Sequence, residues 1–179
     1  MLAVHARYRG RETRRADLVR RSGEALSTMS GVAGFESLGV EDIRSDIDSA
    51  EALCNVVMAL LSDGAWAIGV GVAEEGWASE AATHALGAGG RAGTVKVSSR
   101  LLKEEIAAVF LLIAHVLSKR SVEGREATSL MRAGFNQNEA AAELGISKQA
   151  MSQRLHAAGW QAELSGWRLA VNLISMADR

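Results

Sequence analysis

Proline is absent from all 179 residues, so no helix is forced to end or kink by a missing backbone N–H, and long uninterrupted helices are open to the chain. Cysteine occurs once, as Cys54, which excludes an internal disulfide and a cysteine-based zinc site and gives no sign of an oxidising compartment. Aromatic residues make up only 4% of the chain, and Ala is abundant, a composition that favours helix. The most apolar run, 106–117, is twelve residues long and contains His115, too short to span a bilayer. Arginines near the N-terminus are not followed by an apolar segment, so no secretory signal is expected and the reading is cytoplasmic. The net charge of −1 excludes a nucleic-acid coat protein that works by bulk charge.

The charge is unevenly placed. Ten Lys and Arg face thirteen Asp and Glu in residues 1–99, and ten face eight in residues 100–179. Any affinity for a polyanion therefore comes from local patches. Chain length allows one good core or two small ones, which suggests a compact sensor-like domain followed by a small helical module.

Residues 1–8 alternate with a period of two, Leu2, Val4, Ala6 and Tyr8 against Ala3, His5 and Arg7, and read as a strand. From Asp17 to Met29 the apolar residues recur at helical spacing. Phe35–Leu38 and Ile43–Ile47 read as a hairpin around Gly39-Val40-Glu41-Asp42, and Asp48 or Ser49 opens a helix that Asp63-Gly64 closes. Its Cys54 falls among apolar neighbours, as a buried structural thiol does. Trp66–Ala73 is the clearest strand, with Trp66, Ile68, Val70 and Val72 on one face and small residues, Gly69 and Gly71 among them, on the other. Such a face admits the close approach of a helix or a ligand. A short helix at 79–86 leads through a glycine-rich stretch to a last strand, Thr94–Ser98.

The order through Ala73 is βαββαβ, so the expected fold is α+β, a ferredoxin-like N-terminal domain followed by an all-α domain. The expected boundaries are 1–98 for the sheet domain, 99–120 for a connecting or dimerisation helix, and 121–179 for a helix-turn-helix domain. The connecting helix, capped by Ser98 or Ser99, is apolar nearly all round and is expected between two domains or at a dimer seam. Glu123–Arg132 and Ala162–Met176 supply two further helices, with Trp160 and Trp167 as core or dimer anchors.

The stretch Asn136–Leu155, NQNEAAAELGISKQAMSQRL, carries the most information. Asn136 with Glu139 makes a capping-box pair; Ala140, Ala141 and Leu144 are apolar positions, Gly145 turns the chain and Ile146 fills the corner. Ser147 caps a second helix that turns Met151 and Leu155 inward. Lys148, Gln149, Ser152, Gln153 and His156 are left on a polar face without carboxylates. An ordinary helical hairpin shares some of these features. The run E-x-A-A-x-L-G-I-S-x-x-x-M-S-x-x-L resembles the helix-turn-helix of the sigma-factor region 4 and resolvase type. That resemblance implies double-stranded DNA as partner. Gln149 and Gln153 are candidates for adenine edges, Lys148 or Arg154 for guanine or phosphate, and Ser152 for either. Asn136, Gln137, Ser147 and His156 are candidates for holding the backbone.

A sheet of this kind with a C-terminal helix-turn-helix resembles the SatD family of bacterial proteins, and more widely nucleotide and diguanylate cyclases. The matching positions are Gly39, Glu41 and Asp42 in the hairpin and Gly69 and Gly71 in the strand. The resemblance makes Glu41, Asp42, Asp46 and Asp48 the only candidate magnesium or acid–base cluster, against the plainer reading of a solvated edge with a helix cap. No phosphate-binding glycine motif accompanies it. The seven arginines at 7, 9, 11, 14, 15, 20 and 21 read either as a phosphate-contacting loop or as solubilising charge. The expected function is that of a homodimeric, non-enzymatic transcriptional regulator with no catalytic residues, metal or cofactor, and with a small-molecule effector left open. The alternative is a cyclase-like enzyme or nucleotide sensor with a helical tail.

Overall fold

A computed structural model describes residues 1–179. Five strands and eight helices follow in the order β1 (Leu2–Tyr8), α1 (Arg15–Ser27), β2 (Glu36–Ser37), β3 (Asp42–Ile47), α2 (Ala50–Asp63), β4 (Trp66–Val72), α3 (Ala78–Leu86), β5 (Thr94–Ser99), α4 (Lys103–Ser118), α5 (Val122–Arg132), α6 (Gln137–Glu143), α7 (Lys148–Ala157) and α8 (Trp160–Ala177). The fold is α+β. One sheet runs in the order β2-β3-β1-β4-β5, antiparallel at every pairing except β4 with β5. That parallel pair follows from α3, a crossover helix that returns the chain to the same end of the sheet.

Both faces of the sheet are covered. On one lies α2, started by Ser49, whose Oγ accepts from the Ala52 N–H at 3.1 Å, and ended by Gly64 at φ 80°. Its Leu53, Cys54, Val56 and Val57 are fully buried against β1 and β4. The opposite face receives α3, and here the small residues of β4 have their use. A Cβ on Gly69 would lie 2.2 Å from the Ala82 carbonyl oxygen, and one on Gly71 would lie 2.1 Å from that of Ala78. Close helix approach, rather than space for a ligand, is what this glycine face provides. It also explains why β1 is buried along both of its faces although its pattern alternates.

The hairpin is shorter than its sequence suggested. Its first strand pairs with β3 at Glu36 and Ser37 alone, through Arg44 and Ile43, with one isolated bridge from Val32 to Ile47 before it. Neither Ser98 nor Ser99 caps α4: pairing of β5 with β4 extends to Ser99 opposite Val72 and keeps both serines extended. The corner is made instead by Leu102 at φ 57°, the one non-glycine residue with positive φ. Helix α4 buries Ile106, Val109, Phe110, Ile113 and Leu117, while Leu111 and Leu112 stay 69% and 66% exposed.

Thirty buried residues form the main core, and they include Ala170, Val171 and Ile174 from the end of α8. Six form a second core among α5, α6, α7 and the start of α8, namely Ala127, Ala140, Ala141, Met151, Leu155 and Trp160. Helix α8 therefore belongs to both. Cys54 is buried, and burial pushes its thiol pKa up to about 12, so it is inert packing. No helix is long and apolar enough to cross a membrane.

Candidate nucleic-acid interface

Three helices build the candidate reading unit, and each start is fixed by a side chain. Ser121 Oγ accepts from the Gly124 N–H at 3.1 Å to open α5. Asn136 Oδ1 accepts from the Glu139 N–H at 2.9 Å while Glu139 Oε2 accepts from the Asn136 N–H at 2.8 Å, a reciprocal capping box at α6. Between α6 and α7 the chain turns at Gly145, φ 64°, and the Ile146 N–H returns to the Ala141 carbonyl at 3.0 Å. Ser147 Oγ then accepts from the Ala150 N–H at 3.1 Å. Small residues at 140 and 141 let α7 cross close to α6, and Met151 and Leu155 lock its inner side.

The outer side of α7 is a single surface. Lys148, Gln149, Ser152, Gln153 and His156 are all exposed, and at 100° per residue they occupy an arc of about 140°. No carboxylate lies on α7, whereas Glu139 and Glu143 of α6 are exposed beside it. Arg154 is separated from this group: it is half-buried on the inner half of the helix, and its charge helps to hold Glu123 below the usual carboxylate range. The larger causes of that depression are hydrogen bonds from the Glu123 backbone and from Ser121. Asn136 and Ser147 are engaged as caps. Gln137 is half-buried and borders, with Ser152, His156 and Trp160, a cleft beside the start of α8.

A buried ionic cluster, invisible to the motif, holds this unit to the rest of the molecule. Glu163 on α8 pairs with the buried guanidinium of Arg120 and accepts from Arg132 Nε at 2.7 Å and Nη2 at 3.1 Å. Arg120 also donates through Nε to the Ala158 carbonyl at 2.8 Å and through Nη1 to Thr128 Oγ1 at 3.3 Å. Burial pulls the Arg120 pKa below its ordinary value, and the Glu163 carboxylate opposes that pull. One signal in the sequence points to the cluster. Glu163 interrupts the apolar stripe of α8 between Trp160 and Trp167, where a lone charge needs a partner.

The acidic residues of β3 have different surroundings from those of an open metal site. Asp42 Oδ1 accepts from Arg7 Nε at 2.8 Å and lies 2.8 Å from His5 Nε2, while Asp46 Oδ1 accepts from Ser79 Oγ at 2.7 Å. Glu41 pairs with Arg9 and Arg15, and Asp48 lies beyond the end of the strand. No three His, Cys, Asp or Glu side chains converge as metal ligands would. His5 is 3% exposed and its other ring nitrogen lies 2.9 Å from Thr83 Oγ1 on α3, so the ring is enclosed between two half-buried partners, Thr83 and Asp42. Burial lowers the His5 pKa against the opposing pull of Asp42, with Arg7 and Arg44 adding to the lowering.

The arginine-rich segment is partly structural. Arg7 Nη1 donates to the Gly87 and Ala88 carbonyls at 2.9 and 3.0 Å, and Arg9 Nε to Gly90 at 3.1 Å, which ties down the glycine-rich loop before β5. Arg20 pairs with Glu24, one helical turn away. No family model, curated protein or solved structure matches the chain.

Proposed function

We propose that this protein is a sequence-specific DNA-binding transcriptional regulator that works in the cytoplasm as a homodimer, with α7 in the major groove of double-stranded DNA. One observation carries the reading: five exposed polar side chains without a carboxylate share one face of a short helix whose start and inner side are fixed. Gln149 and Gln153 read base edges, Lys148 and His156 meet phosphate, and Ser152 serves either. Arg154 reaches DNA only along the flank of α7. The first four strands belong to a ferredoxin-like unit extended by α3 and β5, a reading supported by the antiparallel order β2-β3-β1-β4. Kinship with the SatD family is part of the same proposal and rests on this unit preceding a helix-turn-helix. Pairing of two copies is supported by the outward Leu111 and Leu112. In an antiparallel pairing of two α4 helices, Glu104 of one falls opposite Lys119 of the other.

Binding to fragments of the gene's own upstream region, at physiological salt with unrelated DNA as competitor, tests the proposal. Specific retention is expected, with Gln149→Ala weakening it by about 1–3 kcal/mol and relaxing the sequence preference. Absence of preference for any fragment, or equal loss on every sequence in the Gln149→Ala, Gln153→Ala double variant, overturns the base-reading role.

A further inference from the structure

Between α2 of the main core and the helices of the reading unit lies a cleft of 570 Å³, a volume in the range of small-molecule sites. Its apolar walls are Met29, Met58, Met131, Trp160, Leu164 and Trp167. Methionines and tryptophans are side chains that adapt to, or stack on, a flat apolar body. A smaller recess of 190 Å³ adjoins it, sharing Ser62 and Arg132 as a common wall and bringing Arg120 and Arg125 to its far side.

The polar groups along this cleft show a one-sided inventory. Glu163 is its carboxylate, and both of its oxygens are taken by Arg120 and Arg132. Arg132 spends Nε and Nη2 on that carboxylate, which leaves Nη1 as a donor with no protein acceptor. Ser62 Oγ is buried and has no hydrogen-bond partner. Asn55 Oδ1 accepts from Trp167 Nε1 at 3.0 Å, which fixes the amide so that its NH₂ group remains to donate. Ser62 Oγ is thus a buried donor without an acceptor, the Asn55 amide and Arg132 Nη1 are exposed donors beside it, and two arginines pair with the one glutamate. Leaving the buried Ser62 hydroxyl unmade is costly, and an anionic ligand would satisfy it while taking up the two exposed donors.

We infer that this cleft binds a small apolar carboxylic acid, its hydrocarbon or aromatic body among the methionines and tryptophans and its carboxylate at Ser62, Asn55 and Arg132. Because one wall is α2 and the other is α5 with α8, the bound acid bridges the main core and the reading unit and so sets the orientation of α7. The regulatory consequence rests on the DNA-binding reading, whereas the site itself does not.

Titration of the intact protein with 1-naphthoate, followed by calorimetry and by quenching of Trp160 and Trp167 emission, tests the site, with 1-naphthamide as the uncharged control. Saturable binding is expected, about tenfold tighter for the acid than for the amide, the worth of one charge-assisted hydrogen bond. Ala59→Phe, which fills the cleft from an exposed position on α2, is expected to abolish binding. Ser62→Ala, which removes a hydroxyl that bonds to nothing in the protein, is expected to weaken the acid and spare the amide. Equal affinity for acid and amide, binding that survives Ala59→Phe, or no binding of either 1-naphthoate or octanoate overturns the site. Retention on DNA is measured with and without 1-naphthoate. A ligand that binds without changing retention overturns the regulatory role alone, and a ligand that binds to a protein indifferent to DNA sequence overturns the DNA reading and leaves the site standing.

Discussion

The two cores are built on different terms. The main one joins one face of the sheet to α2, α4 and α8 through thirty buried residues rich in Val, Leu and Ile, and it takes Leu2, Val4, Ala6 and Tyr8 from β1. The small one has six, three of them alanine, and depends on Met151, Leu155 and Trp160 for most of its buried volume. A unit that small gains too little from apolar burial to hold its shape alone. The difference is made up by covalent continuity through α8 and by the Arg120–Glu163–Arg132 cluster. A main core can tolerate the loss of a contact, whereas a minor one that borrows its stability cannot.

The largest expected effect comes from cutting that loan. Glu163→Ala leaves Arg120 buried and unpaired, at a cost of about 3–5 kcal/mol. Thermal unfolding followed by circular dichroism is expected to split into two transitions, the helix-turn-helix melting first. A single cooperative transition at the wild-type temperature would contradict the division of labour between the cores. Gly71→Ala strikes the other side: the added methyl meets the Ala78 backbone and forces α3 from the sheet, an overpacking cost of about 3 kcal/mol. Here one transition at lower denaturant concentration is expected, since the main core carries the minor one with it. The smallest effect is that of pH. His5 is kept neutral in the fold with a pKa below 6.5, so the unfolded chain binds the extra proton; stability is full above the unfolded value and is lost as pH falls through it. Chemical denaturation between pH 7.5 and 5 should show this decline, and His5→Asn should flatten it. A stability that rises on acidification would mean that Asp42 holds His5 charged.

Legibility followed the range of the interactions. The caps at Ser49, Asn136 and Ser147 and the turn at Gly145 are local, set by residues within four positions of one another, and each stands where its sequence places it. The arc on α7 is likewise a matter of periodicity. Arg154 is not fixed by periodicity alone, since whether a long side chain leaves the inner half of its helix depends on what α5 offers it. Ser98 and Ser99 have the local character of caps, but strand pairing with a segment nearly thirty residues earlier outweighs local propensity. The same distance hid the partners of Glu163 and the donors of the cleft, which come from α2, α5 and α8 and meet only in space. The glycines of β4 showed that something comes close to the sheet, but whether it was helix or ligand lay with α3.

The double membership of α8 also has a consequence in time. During synthesis it leaves the ribosome after every other helix and strand described above, yet it supplies Trp160 to one core, Ala170, Val171 and Ile174 to the other, and the acid of the ionic cluster between them. Neither core is complete on a nascent chain that lacks it. The arrangement delays completion of both cores until α8 has been made, so a chain interrupted before residue 160 carries α7 without the frame that orients it.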